Sequence, residues 1–151
     1  MTRPDGPIKT FLARVNKFLS NFYEAEVTYG GLTYGSSEAA YQAQKCMNDE
    51  DRQAFTGYDP LTSKREGKKA AIRPDWEDVR LGIMEEIVRA KFTQHPELAA
   101  LLLETGDREI QEGNRWHDKF WGIDIFTGEG ENHLGKILMK IREELRGNEG
   151  T

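Results

Sequence analysis

Ser37-Glu38-Ala39-Ala40-Tyr41-Gln42-Ala43-Gln44-Lys45 is the stretch on which the reading of this 151-residue chain turns. At 3.6 residues per turn it sets Glu38, Tyr41, Gln42 and Lys45 on one helical face, while Ala39, Ala43, Cys46 and Met47 fall on faces that can pack. One face then offers an acid, a phenol, an amide and an amine. A solvated helix face is polar too, so the pattern gains meaning only from its surroundings. Upstream, Val27 and Tyr29, then Leu32 and Tyr34, flank Gly30-Gly31, the signature of a hairpin with a two-residue turn. Ser36 or Ser37 then stands where a serine caps the Glu38 helix.

Downstream, the segment from Asp59 to Arg73 reads as a turn and a short basic helix, with Lys64, Arg65, Lys68, Lys69 and Arg73 close in sequence. Pro74-Asp75 opens a further helix, along which Trp76, Val79, Ile83, Met84, Ile87 and Val88 recur at three- and four-residue steps. Pro96 starts another helix bearing Leu98, Leu101 and Leu102, and Gly106 ends it. Asn132 is the expected cap of a last helix with Leu134, Ile137, Leu138, Ile141 and Leu145 on one side. Together these elements predict a single, mainly helical α+β domain with a small β-sheet over residues 8–146, with flexible termini at 1–7 and 147–151.

A hydrophobic fraction of 37% beside a charged fraction of 31% suits a globular domain able to bury a core. The net charge of −5 excludes a general basic coat for nucleic acid, though it leaves room for a local basic groove. Cys46 is the single cysteine, which rules out an intrachain disulfide and predicts a reducing, cytoplasmic setting. His95, His117 and His133 are scattered and make no zinc pattern, so neither metal nor cofactor is expected. No apolar run reaches membrane-spanning length, so no membrane partner is expected.

Several side chains carry a chemical reading beside an ordinary one. Glu38 is either a carboxylate favoured by a helix N-terminus or a general acid/base at a pocket mouth. Lys45 is either a solvated lysine or, desolvated beside Tyr41, a nucleophile or phosphate contact. Trp76 and Trp121 are either core plugs or platforms for a heterocyclic base, and Trp121 lies in a segment rich in glycine, with Gly113, Gly122, Gly128 and Gly130. Asp118 stands three residues before Trp121 and is the candidate second carboxylate; two carboxylates can protonate a leaving group and support a cationic sugar centre. Gly130-Glu131-Asn132-His133-Leu134-Gly135-Lys136 is either a turn before a capped helix or a perch for a phosphate on open N–H groups.

Taken in order, Phe18-Leu19-Ser20-Asn21-Phe22, Ser37-Glu38 with Tyr41-Gln42-Ala43-Gln44-Lys45, Trp76, Ala90-Lys91-Phe92, Leu102-Leu103-Glu104-Thr105-Gly106, Trp121-Gly122 and Asn132-His133-Leu134-Gly135-Lys136-Ile137-Leu138-Met139 with Arg142 resemble the NADAR, or YbiA-like, family. The resemblance runs from about residue 11 to residue 145. It implies a compact α+β domain that hydrolyses the N-glycosidic bond between a base and a phosphorylated ribose. The substrate would be a riboflavin-pathway aminopyrimidine ribosyl phosphate or an ADP-ribosylated guanine in nucleic acid. It further implies Glu38, Trp76 and Asp118 as central residues and Lys45 as a catalytic amine forming a Schiff base with the opened ribose. Tyr41, Gln42, Trp121 and Gly122 would line the substrate, and Ser20, Asn21, Asn132 and Gly135 would hold ribose and phosphate. One departure stands out: Ala39 occupies the place where the family often has histidine. The alternative from another class is a non-catalytic module that binds NAD or ADP-ribose, and a third is a purely structural helical domain; an ionisable trio of Glu38, Lys45 and Asp118 favours the enzyme.

Overall fold

The structure is a computed structural model that describes residues 6–149, the side chain of residue 149 excepted. The parts of the expected flexible ends at 1–5 and 150–151 lie outside the described residues. The architecture is mainly helical α+β, as the periodicities predict. It comprises β1 (Glu24–Tyr29), β2 (Leu32–Ser36), α1 (Ser37–Ala43), α2 (Asp49–Gln53), α3 (Pro60–Lys69), α4 (Trp76–Gln94), α5 (Pro96–Glu104), β3 (Gly113–Asn114), β4 (Ile123–Asp124) and α6 (His133–Glu149). Short 3-10 turns cover Arg14–Leu19 and Ala54–Gly57. The chain forms two compact units, residues 21–95 on the one hand and residues up to 20 with those from 96 on the other.

In the 21–95 unit, β1 and β2 pair antiparallel with Tyr29 opposite Leu32. Gly30 and Gly31 both hold positive φ, at 60° and 85°, as a two-residue turn of this hand requires. Ser36 ends β2 and caps α1, its Oγ accepting the Ala39 N–H at 3.1 Å. Every residue of α1 is buried, so this helix has no solvated face. It ends earlier than its amphipathic reading predicts. The backbone tightens after Ala43, with the Gln44 N–H bonded to the Tyr41 carbonyl and the Lys45 N–H to that of Gln42. Gln44 Nε2 donates to the carbonyl of Ala40 at 3.0 Å, satisfying one of the last helical acceptors. Lys45 therefore sits in the turn after the helix, and Met47, expected to pack, is exposed.

Asp59 caps α3 through the Thr62 N–H at 2.7 Å, and Pro60 takes the first helical position. α4 buries Trp76, Met84, Ile87, Val88 and Phe92 along its inner stripe. In the other unit α5 buries Leu98 and Leu102 but leaves Leu101 partly exposed, and Gly106 follows it at φ 65°. α6 runs through residues 147–149, which were expected to fray, and its stripe buries Leu134, Ile137, Leu138 and Ile141 while Leu145 is half-buried. The second small sheet, with Gly113 opposite Ile123 and Asn114 opposite Asp124 in parallel, has strands of two residues and leaves no periodic trace in sequence. No described helix is long and apolar enough to cross a membrane.

Candidate active site

Of the predicted residues, Asn21, Glu38, Tyr41, Gln42, Lys45 and Trp76 belong to the 21–95 unit, where the structure draws most of them together. Asn21 anchors the start of α1. Its carbonyl accepts the Glu38 N–H at 3.0 Å, its Oδ1 accepts from Ser37 Oγ at 2.8 Å, and its amide reaches Met84 Sδ at 3.4 Å. Glu38 is thereby fixed in the first turn, buried to 8% exposure. Gln42, one turn on, donates from Nε2 to Glu38 Oε2 at 2.7 Å. Among the described residues its Oε1 has no hydrogen-bond partner, and it is pressed towards α3. A Cβ at Gly67 would lie 2.0 Å from that oxygen, so glycine is the residue that lets α3 come this close. An unsatisfied buried acceptor costs about 1–3 kcal/mol, and here it accompanies an amide aimed at the carboxylate.

Tyr41 and Trp76 are both buried, with ring centroids 5.2 Å apart and planes inclined at 51°. The indole is thus the neighbour of the α1 phenol. Lys45 is half-buried, its carbonyl pinned by the Arg73 N–H at 2.9 Å. Desolvation holds the Lys45 amine below the ordinary lysine range. Glu38 pulls it back up, and Lys68 and Arg80 press it further down. So the acid and the amine feel one another even though they share no helical face. Ala39 is fully buried and packs as core.

The remaining candidates lie in the other unit, and most of their polar groups serve the local backbone. Asp118 Oδ1 accepts the N–H groups of Phe120 at 3.0 Å and Trp121 at 2.9 Å, an Asx-type turn that shapes the loop. The buried Asn114 brackets the same residue, its Oδ1 accepting the Asp118 N–H and its Nδ2 donating to the Asp118 carbonyl, each at 2.9 Å. Trp121 is half-buried, edge-on to Phe120 with centroids 4.8 Å apart. Gly122 is buried where a Cβ would meet the Glu112 carbonyl at 2.0 Å. Ser20 closes the 3-10 turn that precedes it, its N–H bonded to the Lys17 carbonyl at 3.0 Å.

The start of α6 corrects one expectation. Asn132 precedes the helix in a left-handed conformation, φ 53°, and its side chain ties the loop rather than the helix: Oδ1 accepts the Glu112 N–H at 3.0 Å and Nδ2 donates to the Ile110 carbonyl at 2.9 Å. The N–H groups of His133 and Leu134 are taken by the carbonyls of Phe120 and Trp121, at 3.2 and 2.9 Å. The first turn is a backbone junction, not an open phosphate perch. Gly135 is part of the same junction, since a Cβ there would fall 2.1 Å from the Ile110 carbonyl.

Two features escaped the sequence reading. Lys91 is fully buried on the apolar stripe of α4, with its amine 5.6 Å from the Tyr23 ring and 5.3 Å from that of Phe92. Burial pushes that amine down to about 7. The signal was available, because residue 91 continues the series 84, 87, 88 at helical spacing. His117, in a left-handed conformation, pairs through Nδ1 with Asp124 Oδ2 at 2.6 Å, and this hydrogen bond lowers the buried carboxylate's pKa; no spacing rule announces it. Among the described residues no three His, Cys, Asp or Glu side chains converge as metal ligands.

Comparison with known proteins places the chain in a family. Residues 10–146 match the NADAR domain. A riboflavin biosynthesis protein of Vibrio vulnificus is 42% identical over 133 residues; the match takes in 85% of this chain but only 35% of that protein, so the chain spans about a third of that relative's length. The N-glycosidase YbiA of Escherichia coli is 37% identical over 129 residues, covering 83% of this chain and 79% of YbiA. The solution structure of E. coli YbiA superposes with a TM-score of 0.84 at 32% identity, over 98% of this chain and 89% of that one. With a family match over nearly the whole sequence and a close structural likeness, the chain belongs to the NADAR domain family.

Proposed function

We propose that this protein is an N-glycosidase that hydrolyses the bond between a heterocyclic base and a phosphorylated ribose, with the Glu38 segment as its reactive centre. The observation that carries the reading is the pairing of a buried carboxylate, oriented by Gln42 at 2.7 Å, with a desolvated amine at Lys45 in its field. A carboxylate so held suits proton transfer to the leaving base. An amine kept below its usual pKa supplies more of the neutral nucleophile at neutral pH.

In the proposed sequence the Lys45 amine attacks ribose C1, the bond from C1 to the base breaks, and the sugar ring opens to leave an imine on Lys45. Of the two protons the amine gives up, one ends on the ring oxygen and one on the departing base, relayed by Glu38. Water then hydrolyses the imine, returning the amine and releasing the sugar phosphate. Trp76, against Tyr41, supplies an aromatic wall for the base. The names of relatives, N-glycosidase for YbiA and riboflavin biosynthesis protein for the Vibrio homologue, support the reaction class and favour an aminopyrimidine ribosyl phosphate. The basic face of α3 favours the second substrate, ADP-ribosylated guanine in nucleic acid, because local lysines and arginines are rewarded by phosphates even on an acidic protein. Asp118 enters as a residue that shapes the Trp121 loop, with a charge-stabilising role resting on the family resemblance.

Mass spectrometry of the base released from a ribosylaminopyrimidine phosphate and from an ADP-ribosylated guanosine oligonucleotide, run side by side, tests this. Release of the pyrimidine marks metabolite clearance, and release of guanine marks removal of the modification. Tight calorimetric binding of ADP-ribose with no base released from either substrate contradicts catalysis and identifies a binding module.

A further inference from the structure

Three segments of the 21–95 unit meet around the end of α1 that leads into Lys45. α3 approaches α1 at Gly67, against Gln42, which places Lys68 beside that contact. α4 approaches at Trp76, against Tyr41, and Arg80 stands one turn further along the same face. The segment joining them is tied to Lys45 itself by the Arg73 N–H. Lys45 consequently lies in the fields of both Lys68 and Arg80. Against these three cations stand the buried Glu38 and the exposed Glu77, which bridges Arg80 Nη2 at 3.1 Å.

Several neighbouring basic residues face other groups, as Arg80 faces Glu77. Arg73 forms a two-pronged bridge with Asp75 at 2.6 and 3.0 Å, Lys69 pairs with Glu66, and Lys64 lies over the Phe22 ring. Like charges gathered around an already desolvated amine do nothing for stability. They do suit an oxyanion, for which a guanidinium offers a forked donor and an ammonium a point charge.

We propose that Lys68 and Arg80 form a phosphate clamp beside Lys45 that takes the phosphate carried by the ribose of the substrate. The inference rests on the Glu38 segment being the glycosidic centre and adds to it a determinant of substrate choice. The phosphate belongs either to a terminal monoester or to a diphosphate, and both present the same oxyanion chemistry.

The test compares kcat/KM for a ribosylaminopyrimidine phosphate and for the same compound after enzymatic dephosphorylation, in the wild type, Lys68→Met, Arg80→Met and a Lys69→Met control, each checked for folding by circular dichroism. The clamp predicts that the wild type prefers the phosphorylated substrate by about ten-fold or more. The preference shrinks towards unity in the Lys68 and Arg80 variants and persists in Lys69→Met. An unaltered preference in both clamp variants, or none in the wild type, overturns the clamp while leaving the glycosidase standing. Should the wild type release base from neither compound, phosphorus NMR titrations with inorganic phosphate and pyrophosphate decide separately. Binding weakened about ten-fold by Lys68→Met and by Arg80→Met upholds the clamp although the glycosidase has failed, and equal binding in all four proteins rejects it. Tighter binding of pyrophosphate than of phosphate points to the diphosphate source.

Discussion

The α1 region and the loop that leads into α6 carry the same kinds of residue and use them differently. Each has a carboxylate, an amide side chain, an essential glycine and a tryptophan. In the loop, Asp118, Asn114 and Asn132 mainly serve backbone N–H and carbonyl groups. In α1 the backbone is already satisfied by the helix and by Ser36 and Asn21, so Gln42 is left to act on Glu38 and the electrostatic surroundings to act on Lys45. Polar side chains are available for chemistry where regular secondary structure has relieved them of holding the chain.

The contrast breaks most visibly at Glu38. Glu38→Gln keeps the size of the side chain and removes its proton chemistry, and turnover is expected to fall about a hundred- to ten-thousand-fold while the melting curve stays near wild type. A quantitative base-release assay beside a thermal melt reads both. The loop responds in the opposite currency. Gly135→Ala drives a methyl into the Ile110 carbonyl and is expected to cost about 3 kcal/mol or more in urea unfolding, because the obstacle is backbone and cannot swing aside.

Asp118 sharpens the comparison further. Asp118→Ala orphans the N–H groups of Phe120 and Trp121 and is expected to cost about 1–3 kcal/mol, whereas Asp118→Asn keeps an oxygen acceptor and most of that stability. Base-release assays on the Asn variant then isolate the charge: retained turnover leaves Asp118 a shaping residue only, and lost turnover gives it the electrostatic role the resemblance implies. The last effect, small over any one pH unit, concerns Lys91. From about pH 7 up to the ordinary lysine range the unfolded chain binds a proton at this amine that the folded chain does not. Stability from this group is complete above that range and is lost as pH falls through about 7, with a slope of at most about 1.4 kcal/mol per pH unit. Urea titrations over that interval are expected to show the slope in the wild type and not in Lys91→Met.

Most of the fold was legible because it follows from periodic burial and local punctuation. Gly30-Gly31, the Ser36 cap, Pro60, Pro96 and the stripes of α4 and α6 all act within a few residues. The early end of α1 was not legible, since Lys45 continues a good helical pattern and only the Arg73 N–H and the Gln44 side chain reveal why the chain turns. The α6 N-terminus was misread for a related reason. Its N–H groups are satisfied by Phe120 and Trp121, more than ten residues away in sequence. At the candidate site, Glu38 and Lys45 could be singled out by residue type, but Gly67 and Arg80 become informative only once α3 and α4 are packed on α1.

The most direct measurement is to mix the protein with a ribosylaminopyrimidine phosphate in the presence of borohydride, which reduces an imine to a stable amine, and to map the modified peptide by mass spectrometry. One ribosyl phosphate adduct on Lys45 is expected, its yield falling in Glu38→Gln. An adduct on Lys91 instead, or steady base release with no adduct on Lys45, would contradict it.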